Sequence, residues 1–295
     1  MDETWRLIEC CHAFVYFAPE AKAAYADAGL KGFWMGYFAS RSAALGAPSP
    51  EVVTAAFYNF APRMVARAIP DAWRYSSPET VLAARTAVVD RSLRRLLGDL
   101  VDSADVAEAA ALAGRAAEAA PAPGRVLFAA HAALPRPAEP RLALWHAVTA
   151  LREFRGDGHV AALLAAGLDG CEANVVAGAL GLTPPEQRDY RGWTEQEWTA
   201  AADRLRDRGL LDADGAITAE GRADRRAIED VTDRLARPPL DALGRDGAAR
   251  LAELLRPLAR RIVEAGAVPF PNAMAMLRSG HGADDQGAGA DPAPS

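Results

Sequence analysis

Two groups of side chains in this 295-residue chain are spaced so that they could do chemistry. In the first, His12 and Tyr16 lie at i, i+4 and share one helical face. Trp34, Tyr37 and Arg41 share another at i, i+3, i+7, with Gly32 and Gly36 permitting close helix approach. Asn59 precedes Pro62, whose ring kinks or restarts a helix and frees a carbonyl nearby. Such aromatic walls with polar tips suit a small-molecule pocket between helices. Tyr16, Trp34, Tyr37, Arg41 and Asn59 would bind the molecule there, and His12 would move protons. The second group is Arg152, Glu153, Arg155, Asp157 and His159. Gly156-Asp157-Gly158 is expected to end one helix and His159 to open the next. Asp157 beside His159 would tune the imidazole as a general base, and Arg152 would grip a carboxylate, phosphate or sulfate bidentately. Each residue also has a plainer role. Aromatic stripes fill cores, Arg41 can cap helix carbonyls, and Asp157 can be an N-cap.

Other chemistries lack their signatures. The sequence has no phosphate-binding Walker loop, Gly-x-Ser-x-Gly, His-Glu-x-x-His or Cys-x-x-Cys. His131, His146 and His159 have no metal-ligand spacing, and Cys171 stands apart from them, so neither metal nor cofactor is expected. Cys10, Cys11 and Cys171 imply no disulfide framework, being odd in number with two adjacent. The N-terminus has no basic region followed by an apolar run, and no apolar stretch is long enough to span a bilayer. A cytoplasmic location without membrane contact is the expectation. The formal net charge of −6 provides no global attraction to nucleic acid. Lys22 and Lys31 are the only lysines among 33 basic residues, and with the abundant alanine this suggests a GC-rich, actinobacterial genome.

These side chains must be positioned by helices, because strand signals are nearly absent. Helices are expected over 2–17, 20–28, 31–45, 50–60, 78–97 and 104–120. Further helices are expected over 141–155, 159–166, 171–180, 194–208, 218–236 and 246–265. The fold class is mainly α: an N-terminal helical bundle over 1–138, then an α-rich domain over 139–278 containing a degenerate winged helix. Residues 279–295 carry Gly, Asp, Pro and Ala without apolar pattern and read as a disordered tail.

Thr194–Arg208, Gly209-Leu210-Leu211, the Asp-Ala-Asp-Gly turn at 212–215 and Thr218-Ala219-Glu220-Gly221 together resemble the winged helix of MarR-like regulators. That resemblance implies a recognition helix at 194–208 and DNA as partner. The residues argue against it. The helix would enter the groove with Glu195 and Glu197, the hairpin tip offers Asp212 and Asp214, and acids outnumber arginines across 188–234. DNA is therefore disfavoured.

The runs at 11–21 (CHAFVYFAPEA), 32–41 (GFWMGYFASR), 57–62 (FYNFAP) and 151–161 (LREFRGDGHVA) resemble an actinobacterial group of SalK-like helix-turn-helix proteins. The resemblance implies a setting in natural-product pathways and no particular reaction. The resulting expectation is a cofactor-independent enzyme of secondary metabolism. It would carry out elimination, cyclisation or isomerisation on an anionic small molecule, with His12, Asp157 and His159 as catalytic groups. Tyr16, Trp34, Tyr37, Arg41, Asn59 and Arg152 would bind the substrate. The alternative is a ligand-responsive MarR-like regulator using the same pocket as a sensor; a third reading is a partner-binding protein in a biosynthetic complex. The helix at 246–265 is a candidate homodimer element.

Overall fold

The computed structural model describes residues 3–276 and is mainly α. The expected tail at 279–295 lies outside the described residues. In chain order the helices are α1 (Glu3–Ala13), α2 (Glu20–Asp27), α3 (Gly32–Ser42), α4 (Pro50–Phe57), α5 (Pro62–Ala66), α6 (Ala72–Tyr75), α7 (Pro78–Leu97) and α8 (Ala104–Glu118). They continue as α9 (Val126–Ala132), α10 (Pro140–Ala165), α11 (Gly170–Ala179), α12 (Gln187–Tyr190), α13 (Glu195–Asp207), α14 (Ala219–Asp241) and α15 (Gly244–Glu264). Among the described residues the β pairing is a single antiparallel bridge between Leu211 and Ile217.

Most helix starts follow from local chemistry. The Ser49, Ser77 and Ser103 hydroxyls accept the backbone N–H three residues on, with Pro50 and Pro78 occupying the first turn. Asp169 with Glu172, and Thr194 with Glu197, form reciprocal capping boxes at α11 and α13.

One expectation is overturned. Residues 140–165 form one helix, with Gly156, Asp157 and Gly158 inside it. Two glycines cost a helix interior about 1 kcal/mol each, but α10 is packed on α1, α8, α9 and α14 and buries Leu144, Val148, Leu151 and Phe154. Gly158 also has a packing role. A Cβ there would stand 2.8 Å from Arg125 Nη1. The Arg125 guanidinium crosses at that point to donate to the Phe154 carbonyl, and to that of Leu235 at 2.7 Å. Similarly, α14 runs beyond the expected end at 236 and includes Pro238 and Pro239. Proline keeps a helical φ, and the Pro238 carbonyl still accepts from Ala242.

Three apolar clusters hold the helices. The largest joins α1, α7, α8, α10 and α15. A second lies among α2–α7, and the third packs the end of α10 with α11, α13, α14 and the bridge. The break expected at 138/139 is the start of α10, and the largest cluster draws on both sides of it. α15 spends its apolar face (Leu251, Leu254, Leu255, Leu258, Ile262) inside this chain, so that face is not free to pair with a second copy. Among the described residues no single helix is long and apolar enough to cross a membrane.

The third cluster is fastened to the N-terminal helices at Gly170, where an added Cβ would overlap the Tyr58 carbonyl. Gly170→Ala is expected to destabilise the protein by about 1–3 kcal/mol in denaturant unfolding. Gly178→Ala, in the same helix with 3.9 Å of clearance to its nearest neighbour, should be neutral or stabilising by up to about 1 kcal/mol.

Candidate functional site

His12 sits in the last turn of α1 and is fully buried. Its Nδ1 lies 2.9 Å from Thr149 Oγ1, and its Nε2 lies 2.8 Å from the Tyr16 hydroxyl. Thr149 already donates to the Trp145 carbonyl one turn back, at 2.7 Å. Its oxygen must therefore accept from His12. This assigns the imidazole proton to Nδ1 and leaves Nε2 to accept from Tyr16. Trp145 stacks on the imidazole at 5.6 Å and donates its indole N–H to the His12 carbonyl. Burial, reinforced by Arg152 and Arg85, holds the His12 pKa well below the usual histidine value, so the ring is neutral at pH 7. Burial pushes the Tyr16 phenol up to about 12, while Arg152 and Arg41 pull it back.

α3 lines the same space. The Tyr37 ring is 5.4 Å from that of Tyr16, and Trp34 meets Tyr37 edge-on at 5.8 Å. One turn deeper, Arg41 makes two hydrogen bonds to Glu153 of α10, at 3.2 and 3.1 Å. Arg152 bonds the same carboxylate from the other side and reaches Glu9 at 3.3 Å. Glu153 is completely buried, and Arg41 and Arg152 hold its pKa well below the ordinary carboxylate range against the opposing effect of burial.

Two more arginines enter the cluster. Arg85 of α7 donates to the Ser40 carbonyl and lies over the Trp145 ring. Arg191, at the end of α12, lies over Phe60, stands near Tyr37 and donates to the Ala273 carbonyl. Burial pulls the Arg191 pKa down, and Arg41 and Arg152 add to that. Arg41 and Arg152 thus pair with Glu153 and Glu9, while Arg85 and Arg191 donate to backbone carbonyls, so four guanidiniums gather near three carboxylates, Glu9, Glu153 and Asp157. Arg85 Nη2, Arg191 Nε and His131 Nε2 are buried with no hydrogen-bond partner among the described residues.

The structure therefore brings His12, Tyr16, Trp34, Tyr37, Arg41 and Arg152 together, and separates the rest. Asp157 and His159 are two residues apart on a continuous helix and point in different directions, so Asp157 does not tune His159. Asp157 accepts from the Phe128 backbone N–H at α9, and burial raises its carboxyl to about 6. His159 bonds Thr232 of α14 at 2.9 Å. The Asn59 carbonyl accepts from Asn174 and Trp193, tying the loop before α5 to the 170–207 segment. Sequence reasoning missed Arg85, His131, Trp145, Thr149 and Arg191 as site residues. Arg85 left a signal: it occupies an apolar position of α7, in register with Val81, Val88 and Ser92 on the buried face.

The 170–241 segment has its own surface. Glu195, Gln196, Thr199, Asp203 and Asp207 are the exposed side of α13. Its arginines are committed: Arg204 to Glu172 and Asp169, Arg206 to Asp203, and Arg208 to the carbonyls of Ala166 and Gly167. A pocket of about 280 Å³ lies between α11, α13 and the bridge, lined by Val175, Trp198, Ala202, Arg206 and Leu211. None of the sequence-predicted site residues borders it. Among the described residues no group of three or more His, Cys, Asp or Glu could hold a metal ion.

Removing half of the central ion cluster should be costly. Glu153→Gln leaves Arg41 and Arg152 buried without their shared charge and is expected to lose about 3–5 kcal/mol in denaturant unfolding. The histidines set an acid limb. Burial holds His12 well below the ordinary histidine value and lowers His131 to about 3 and His159 to about 4. A group with a depressed folded pKa stabilises the fold above its unfolded value and loses that contribution as pH falls toward the folded one. Asp157, raised to about 6, acts in the opposite sense, and three groups outweigh one. Thermal stability should therefore fall as pH drops from about 6.5 to about 4, and the slope should be shallower in His159→Gln.

No curated protein and no solved structure matches this chain. The model of the helix-turn-helix family HTH_67 matches residues 1–269. That span contains the whole of the cluster and the 170–241 segment, and the chain belongs to this helix-turn-helix family.

Proposed function

We propose that this protein is a ligand-responsive regulator of the helix-turn-helix type, with an anionic small molecule as its effector in the arginine cluster. The observation that carries the reading is buried positive charge in excess of its carboxylates, including donors that have no partner. Desolvated cations without counter-charge are expensive, and a bound anion removes that cost.

Family membership and the route from the cluster to α13 support the regulator part. Arg191 belongs to the cluster and stands three residues before Thr194, the N-cap of α13. Its backbone carbonyl accepts from Ala61, and Arg63 pairs with Glu197 in the first turn of α13 at 2.7 Å. An anion that draws Arg191 away from Tyr37 and Ala273 acts directly on the start of this helix. α13 with the Leu211–Ile217 bridge serves as a degenerate winged helix in this reading, in keeping with the MarR-like and SalK-like resemblances. The Arg206–Asp203 pair on α13 is a part-exposed surface pair, worth about 0–1 kcal/mol, and Arg206 can be redirected to a phosphate.

One observation favours a second reading, a cofactor-free proton-transfer enzyme: the Thr149–His12–Tyr16 chain has a fixed tautomer and ends on a phenol beside Arg41 and Arg152. This reading expects the protein to consume its anion, with turnover lost in Tyr16→Phe.

Fluorescence anisotropy at low salt, with the promoter region of its own gene and mixed genomic fragments, tests the regulator. The expected result is promoter-selective, salt-sensitive binding that a panel of sulfate, phosphate and carboxylates shifts by about fivefold or more. Absence of DNA binding at low salt, with and without the anions, removes the regulator reading.

A further inference from the structure

Phe33, Tyr37 and Arg41 recur at i, i+4, i+8 on α3 and so form one line along the helix, about 12 Å from end to end. The line changes character along its length. Phe33 is 63% exposed, Tyr37 is half-buried, and Arg41 is buried against Glu153. The Phe33 ring packs edge-on to Trp34 at 5.0 Å and nearly parallel to Tyr37 at 6.3 Å. Tyr37 in turn contacts Tyr16 and stands near Arg191. An exposed aromatic ring and a buried arginine cluster therefore lie at the two ends of one line on α3.

We infer that the effector is an aromatic carboxylate, lying along α3 with its ring on Phe33, Trp34 and Tyr37 and its carboxylate directed to the guanidiniums of Arg41, Arg152 and Arg191. This rests on the anion reading proposed above. Two features of the site select the class. An aromatic ligand covers Phe33, whose exposed ring otherwise stands in water at the rim of a polar site. A single negative charge suits the cluster better than a dianion, because Glu153 already takes one N–H edge of Arg41 and an N–H of Arg152 and repels further negative charge. A planar carboxylate also matches a guanidinium edge through two parallel hydrogen bonds.

Isothermal titration calorimetry on the full chain with cinnamate, acetate and sulfate tests the class. Cinnamate is expected to bind at least about tenfold more tightly than acetate or sulfate. Phe33→Ala should abolish most of that difference and leave acetate affinity unchanged; an exposed ring can be removed without endangering the fold. Equal affinity for cinnamate, acetate and sulfate overturns the aromatic class while leaving the anion reading intact. No binding of any of the three overturns the anion reading itself. Cinnamate binding that Phe33→Ala does not weaken overturns the placement along α3. If the same variant instead changes the oligomeric state in sedimentation with cinnamate affinity unaltered, Phe33 belongs to a protein contact and the inference fails.

Discussion

A carboxylate with no access to water, held between two arginines from different helices, organises the molecule. Glu153 costs several kcal/mol to bury alone, and it remains charged because Arg41 approaches from α3 and Arg152 from the next position on α10. That requirement fixes the distance and rotation of α3 against α10. With those two helices set, Tyr37 meets Tyr16, and Tyr16 meets His12, whose proton position is determined by Thr149. Arg85 and Arg191 then add charge that the local carboxylates do not balance. The same geometry thus supplies the rigidity of the cluster and leaves two of its guanidiniums on backbone carbonyls.

Much of the fold is readable from residue types. Ser-Pro-Glu at 49–51 and at 77–79 starts a helix for evident reasons, and the apolar period identifies α7, α8, α13 and α15. The Gly-Asp-Gly at 156–158 misleads because glycine's propensity is a local quantity, while the decision is made by four neighbouring helices and by Arg125 crossing over Gly158. The sequence-derived pairing of Asp157 with His159 depended on that turn and disappears with it.

The site divides along the same line. Residues on shared helix faces, such as His12 with Tyr16 or Tyr37 with Arg41, are legible because spacing determines direction. Arg191 and Thr149 are not, since each enters by a long-range contact that no periodicity encodes. Arg191 caps the C-terminus of a four-residue helix among polar residues, and nothing in its neighbourhood indicates that it packs on Phe60. The joint around Asn59 is of the same kind. Asn174, Trp193 and Arg63 make it from three separate segments, and together they connect α13 to the cluster.

The first helix finds its main partner in the last. α1 packs on α15, and Glu3 pairs with Arg256 across 253 residues of chain. At ribosomal speeds of about 5–20 residues per second, α15 emerges on the order of tens of seconds after α1. Until then α1 can pack on α10, but the part of its apolar face that α15 covers stays open. Topology of this kind makes completion of the largest core a post-translational event with a high loop-closure cost. A chain ending before α15 would leave that face of α1, with the facing surfaces of α7 and α8, uncovered.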